Sequence, residues 1–380
     1  TVTGFSTAPR KQLTDLQLRH TLDTAPGSRW SLALEHVRER QNNVLAGETV
    51  VAADIPGVGL YTDYLIAWGY NRIDRRYTGL TLATTQQLDA ALNLDAALGI
   101  QQIRHRVDGL TSYYLANLDV LTEETAGRAE MERVVTPRVG MVWQPAAGTT
   151  VRMAYQDWLR PLSVSTLTSV ETAGIPVEDR LVEAGGRHKR TVAQLGMELG
   201  SNTFLSLRAD HLRVRNPGTL GVDLRTPSLP FLNELRNQQL DNLSANDILE
   251  DDPDFEQGRL HRLSLGASRM LNRQWSAYAR WVHALGSSSL SQGGQTITGL
   301  RIPYVPRDTL VLGATWSGGQ RIYLSGRLVW RGQRFEDDRN LTARPAGWGM
   351  DLMGLWESPD KRWLVGVAAL NLFAPKSART

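Results

Sequence analysis

Apolar residues recur at every second position along much of the chain, the period of a β-strand with two unlike faces. Leu310, Leu312, Ala314 and Trp316 alternate with Thr309, Val311, Gly313 and Thr315. After Ser317–Gln320 the alternation resumes with Ile322, Leu324, Gly326, Leu328 and Trp330, between Arg321, Tyr323, Ser325 and Arg327. A short Gly-rich connection between two such runs predicts a hairpin. The arrangement repeats. Val139, Met141 and Trp143 precede the turn Pro145–Thr149 and then Val151, Met153 and Tyr155. Ala193, Leu195, Met197 and Leu199 precede Gly200–Asn202 and then Leu205, Leu207 and Ala209. Leu263, Leu265 and Ala267 precede Asn272–Gln274 and then Trp275, Ala277, Ala279 and Trp281. Trp348, Met350, Leu352 and Trp356 precede Glu357–Lys361, with Val365 and Val367 beyond.

Long connections separate these hairpins, at 41–58, 161–189, 215–257, 286–307 and 332–345. Soluble domains seldom carry loops beyond about 12–15 residues, whereas outer-membrane barrels alternate short periplasmic turns with long extracellular loops. About sixteen strands are expected, the least regular of them between residues 59 and 120. At about 24 residues per strand, loops included, the spacing is far above that of a sandwich. Ten of the eleven tryptophans fall into two sets, and Trp68 lies at a less regular strand end. Trp30, Trp143, Trp275, Trp316, Trp356 and Trp363 lie beside predicted short turns, and Trp158, Trp281, Trp330 and Trp348 beside long loops. Two aromatic belts at opposite strand ends are what two membrane interfaces select, because an indole is apolar in body and polar at its N–H. The predicted fold is all-β: a single antiparallel transmembrane β-barrel over residues 1–380.

Composition narrows the chemistry. The 380 residues include 42 basic and 39 acidic side chains, a net charge of +3, which gives no electrostatic footprint for nucleic acid. The absence of cysteine excludes disulfide frameworks, thiolate catalysis and cysteine-based zinc sites. No apolar run reaches the length of a membrane-spanning helix, which leaves barrel strands untouched. The opening TVTGFSTAPR has no apolar core of a leader peptide, so the expectation is a removed leader or a start inside a longer protein.

If the apolar set faces lipid, the interleaved set lines the lumen. Candidate lumen residues are Arg138, Arg152, Arg208, Arg262, Arg280 and Arg327, with Glu198, Asp210 and Asp351 among the acids. Asp63, Asp89, Asp95 and Asp119 come from the earlier half. Two readings stay open: a basic wall facing an acidic one, favouring polar or anionic solutes, or cross-strand ion pairs that stiffen the lumen. The segment from Asp241 to Glu256 holds seven carboxylates and no basic residue. Asp251, Asp252 and Asp254 are weak candidates for a hard cation, but the ligand order and turn glycine of an EF-hand are missing. A solvated surface loop is the expectation there, without a metal or other cofactor. The connection 161–189 is less polar and either folds over the pore or packs on a neighbouring loop. The seven histidines form no recognisable catalytic motif, and no Gly-x-Ser-x-Gly, phosphate loop or His-Glu-x-x-His is present, so no enzyme is expected.

Two stretches carry a resemblance. TPRVGMVWQPAAGTTVRMAYQDWLRPLS, residues 136–163, resembles a recurrent hairpin of TonB-dependent outer-membrane receptors, and KRWLVGVAALNLFAP, residues 361–375, resembles their penultimate strand. The resemblance implies a large barrel that imports scarce ligands with energy from an inner-membrane complex. RPLSVSTL and AGIPVEDRLVEAGG resemble barrels found behind tetratricopeptide repeats, which implies a passive pore exporting a glycan from a periplasmic repeat domain. A barrel-borne adhesin or hydrolase is a further alternative. No plug domain or TonB box is visible before the barrel, and no terminal aromatic strand at its end. With strands at about 11–23 and 362–373 running in opposite senses, both termini fall outside the cell; the expectation is a barrel incomplete at both ends.

Overall fold

The computed structural model describes residues 6–7, 10–55, 59–117, 119–162, 166, 171–177, 181–182, 184–216, 257–292, 295–318, 321–336, 340–341 and 343–373. Among them the secondary structure is β throughout, and no helix is long and apolar enough to cross a membrane. The strands are β1 (Ser6–Thr7), β2 (Arg10–Ala25), β3 (Ser28–Ile55), β4 (Gly59–Gln87), β5 (Leu92–Leu115), β6 (Val120–Ala146) and β7 (Thr149–Leu159). Next come β8 (Glu171–Thr172), β9 (Ile175–Pro176), β10 (Arg187–Leu199), β11 (Thr203–Arg215), β12 (Gln257–Met270) and β13 (Trp275–Gln292). The chain ends with β14 (Gln295–Leu300), β15 (Asp308–Gly318), β16 (Ile322–Arg331), β17 (Arg334–Phe335), β18 (Ala343–Arg344), β19 (Gly347–Glu357) and β20 (Leu364–Leu372).

Sixteen of these strands form one antiparallel meander, in the order β1-β3-β4-β5-β6-β7-β10-β11-β12-β13-β15-β16-β19-β20, with β2 on β3 and β14 on β13. Sequential neighbours joined by tight turns need no crossover. The predicted short turns close where the punctuation residues stand. Gly148, at φ +77°, lets the chain reverse between Ala146 and Thr149, and residues 200–202 and 271–274 do the same further on. In the turn after β19, the Asp360 carboxylate accepts from Ser358 Oγ at 2.5 Å and from the Arg362 amide at 3.2 Å. These two donors hold its pKa below the usual carboxylate value.

The alternation becomes two faces. Leu18, Leu34, Leu80, Ile100 and Val135 stand directly opposite one another across β2 to β6, all exposed. Leu207 and Leu265, and then Leu312 and Leu324, carry the same face around the later strands. A continuous exposed band of this kind is unfavourable in water and suited to hydrocarbon. Indoles bound it at both ends: Trp275 and Trp316 lie 6.4 Å apart at the short turns, Trp330 and Trp348 6.5 Å apart at the long loops. Trp158 departs from this belt. It points inward, 6% exposed, with its ring 5.3 Å from that of His188.

Three of the expected long connections are corrected. Residues 41–55 continue β3 and pair with β4 down to Ile55↔Gly59. Residues 286–300 are largely a β13–β14 hairpin, and 332–345 carry the small β17–β18 ladder. Strands β3 to β6 are 24 to 29 residues long, against roughly 9–11 needed to span a bilayer. Beyond the leucine band their polarity inverts. Val37, Tyr77, Ile103 and Val134 are buried on the inner face while arginines take the outer one. Alternation read from an apolar outer face fails there, which is why residues 59–120 look irregular in sequence. On the inner face of the later strands the Tyr278 ring lies over Gly313, where an added Cβ would meet it at 2.3 Å. Gly313→Ala is expected to turn the Tyr278 ring aside at a cost of about 1 kcal/mol in a urea titration of the vesicle-inserted protein, with Gly196→Ala, where an added Cβ meets only the Thr150 carbonyl oxygen at 3.9 Å, as the contrast.

Candidate functional site

Three rows of directly opposed residues cross the inner wall from β6 to β12. The first holds Arg138, Gln156, Arg190, Leu212 and Leu260. The second holds Gly140, Ala154, Val192, Asp210 and Arg262, and the third Val142, Arg152, Gln194, Arg208 and Ser264. Parity fixes this face: Arg138, Gln156, Arg190 and Asp210 are all buried, whereas Val135, Met153 and Leu207, of opposite parity, are exposed.

Asp210 is the centre of the wall. Its carboxylate accepts from Arg262 Nε at 2.9 Å and from an Arg190 terminal nitrogen at 3.2 Å, and Arg208 Nε lies at 3.3 Å. The side chains of Arg190 and Asp210 are 2% and 3% exposed. Three guanidiniums around one carboxylate leave a positive surplus that the local carboxylate does not neutralise. Arg280 donates to Ser264 Oγ at 3.2 Å and Arg327 pairs with Asp351 at 2.5 Å, which extends the polar wall to β19.

The connection after β7 folds inward onto these rows. Its hairpin β8–β9 presents Ile175 to Ala154 and Val192. Gln156 Nε2 donates to the Ile175 carbonyl at 2.8 Å, and Arg190 donates to that of Pro176 at 3.1 Å. The Ala173 amide donates to Asp95 at 2.7 Å. Gly140 makes this approach possible, because a Cβ there would fall 2.8 Å from Thr172 and 2.9 Å from Ala173. Further along, Val182 packs with Leu212 and Leu260, Asn216 donates to the Leu181 carbonyl at 3.3 Å, and Arg160 donates to that of Val182. Residues 301–307 also turn inward, placing Ile302 against Leu260 and Gly286.

The sequence-derived candidates therefore sort unevenly. Arg152, Arg208, Arg262 and Asp210 come together on the second and third rows, with Arg138 at one end of the first. Arg280 and Arg327 share the face further round. Glu198 has inward parity but stands exposed at the short-turn rim, beside Gly148. The acidic wall expected from the first half is different in composition. Asp89 lies in a short turn, accepting from the Ala91 amide at 2.6 Å, and Asp119 lies at a strand end, accepting from Tyr114 at 2.9 Å. Only Asp95 of that set, among those whose side chains are described, holds the inward hairpin. Glu35 and Glu39 take the expected role, 1% and 0% exposed, with Thr166 donating to Glu35 and Arg75 to Glu39 at 2.9 Å. Glu35, Glu39 and Arg190 were detectable in principle, since each continues the inward parity past the end of its apolar run. The carboxylates from Asp241 to Glu256, with Asp251, Asp252 and Asp254, lie outside the described residues. Among those that are described, no group of three or more histidine or acidic residues could hold a metal ion.

No protein-family model and no curated protein sequence matches the chain. Solved structures do. The ferric yersiniabactin uptake receptor FyuA of Yersinia pestis superposes with a TM-score of 0.62 at 11% identity, over 97% of this chain and 50% of that one. The siderophore receptor PiuA of Acinetobacter baumannii follows at 0.53 and 12% identity, over 93% and 50%, and the ferric-catecholate import receptor Fiu of E. coli K12 at 0.51 and 9%, over 96% and 60%. The chain thus has the fold of a TonB-dependent-receptor-like β-barrel and spans about half the length of the first two receptors.

Proposed function

We propose that this chain is the transmembrane β-barrel of an outer-membrane transport protein, which passes a small anionic ligand along its inner wall by means of an energising inner-membrane complex. The observation that carries this reading is the inward β8–β9 hairpin, clamped by Gln156, Arg190 and Asp95 over the arginine rows. A lumen narrowed in this way does not serve open diffusion, and a ligand that passes it meets Arg152, Arg208 and Arg262. Guanidiniums are suited to carboxylate and phosphate because their planar fork donates two parallel hydrogen bonds. The fold likeness to receptors described as taking up ferric yersiniabactin and ferric catecholates supports the same class of solute, a small anionic chelate. Catalysis plays no part in the reading.

The test is electrical. Reconstituted in planar bilayers, the chain is expected to show low, anion-preferring conductance. Gly140→Val, which puts two methyl groups where Thr172 and Ala173 lie, should displace the hairpin and raise conductance several-fold. Loss of Arg152 and Arg208 to glutamine should move the reversal potential toward cation preference. A Gly140→Val variant that inserts normally with unchanged conductance would count against a narrowed lumen.

A further inference from the structure

The outward face carries a second cluster of arginines that transport through the lumen does not use. On β3, β4 and β5 the outward residues change character along each strand. Leu34, Leu80 and Ile100 form one row; four residues further along stand Arg38, Arg76 and Arg104. The next row is Arg40, Asp74 and Arg106, and the last Asn42, Arg72 and Asp108, with Arg10 opposite Asn42 on β2. Seven arginines therefore share this surface with two aspartates. Asp74 pairs with Arg38 at 2.6 Å, Arg76 at 3.3 Å and Arg40 at 3.7 Å, and Asp108 with Arg106 at 2.9 Å; two carboxylates against seven guanidiniums leave a surplus of positive charge. Between the arginines lies a cleft of about 430 Å³, lined by Arg10, Arg40, Arg72 and Arg106 with Gln12, Asn42, Ile73 and the two carboxylates Asp74 and Asp108. The short-turn end has no counterpart on these strands, where Trp30 and Thr84 occupy the outward positions opposite one another.

Height above the hydrocarbon selects the occupant. At roughly 3.3 Å per residue, the arginine rows run from about 13 to about 26 Å along the strand beyond the last leucine row. For strands tilted by about 45° that is roughly 9 to 19 Å of height. The headgroup layer of a phospholipid leaflet is only about 5–8 Å deep. We infer that this cleft binds the phosphorylated saccharide headgroup of an outer-leaflet glycolipid. Such a headgroup carries its anionic groups further from the acyl chains than a phospholipid does. Its phosphates would sit between Arg40, Arg72 and Arg106, and its hydroxyls against Gln12 and Asn42. The inference rests on which face meets lipid and is independent of what passes through the lumen.

The test uses the whole chain folded into phosphatidylcholine vesicles, with lipopolysaccharide, phosphatidylglycerol or inorganic phosphate added, and lipid retained after detergent extraction as the readout. Lipopolysaccharide should be retained and phosphatidylglycerol much less so. Arg40→Gln, Arg72→Gln and Arg106→Gln together should lower apparent affinity on the order of 100-fold, at about five-fold for each arginine near a charged surface. The corresponding triple lysine variant should keep most of it. Arg269→Gln, an outward arginine at the short-turn end of β12, is the control for net charge. Heat-dependent electrophoretic mobility reports whether each variant is folded. Equal retention of phosphatidylglycerol, displacement by inorganic phosphate alone, or a folded glutamine triple that retains lipopolysaccharide as well as the parent would each overturn the inference.

Discussion

Asp210→Ala is expected to destabilise the barrel by about 3–5 kcal/mol, the scale for breaking a buried ion pair by removing one partner. The reason is local. Arg190 is 2% exposed and would lose the Asp210 carboxylate at 3.2 Å, while Arg262 and Arg208 would lose it at 2.9 and 3.3 Å. Arg208 and Arg262 are each about a quarter exposed and can turn toward water, so most of the cost falls on Arg190. Urea unfolding from vesicles, followed by tryptophan fluorescence, measures it. Pairing Asp210→Leu with Arg190→Met should recover most of the loss, because the buried charge goes with its partner. A single and a double variant of equal stability would mean that Arg190 does not depend on Asp210.

The second large effect is on the opposite face. Arginine at Leu312, in the exposed apolar band and opposite Leu328, should cost about 2–4 kcal/mol at mid-bilayer, and less at Leu324, which stands opposite Trp316 nearer the short-turn belt. Arginine at Ser325, one residue from Leu324 and opposite Thr315 on the inner side, should be nearly silent. The pair shares a strand, a depth and a substituent, so any difference between them reports the medium that each face meets. Equal costs would reject the assignment of faces.

How far the sequence alone reaches follows from what each region buries. On β10 to β16 one face meets an apolar medium and the other a polar lumen, so the two-residue period predicts strands, turns and parity together. Arg152, Arg208, Arg262 and Asp210 are legible on that basis. On β3 to β6 the rule reverses within one strand: Leu32 and Leu34 face outward, then Arg38 and Arg40 do, while Val37 turns inward. A pattern scored for one orientation cancels itself across such a strand, and residues 41–55 read as a connection. Trp158 illustrates the same limit, because an indole next to a long loop has the composition of a membrane belt whichever way it points. The inward placement of the β8–β9 hairpin depends on Gly140, Gln156 and Asp95, contacts that lie from about 20 to nearly 80 residues away in sequence, so no local signal contains it.

The hairpin's partners have a consequence for the order of assembly. Asp95, Gly140, Gln156 and Arg190 lie on β5, β6, β7 and β10, four successive strands of the meander. The segment they hold is the connection between the last two of them. Everything that seats the hairpin therefore exists once β10 has zipped onto β7, while the rest of the wall is still unfolded. The lumen need not be entered through a finished opening. Its contents can be laid against an open sheet, and the later strands then wrap around an interior already occupied.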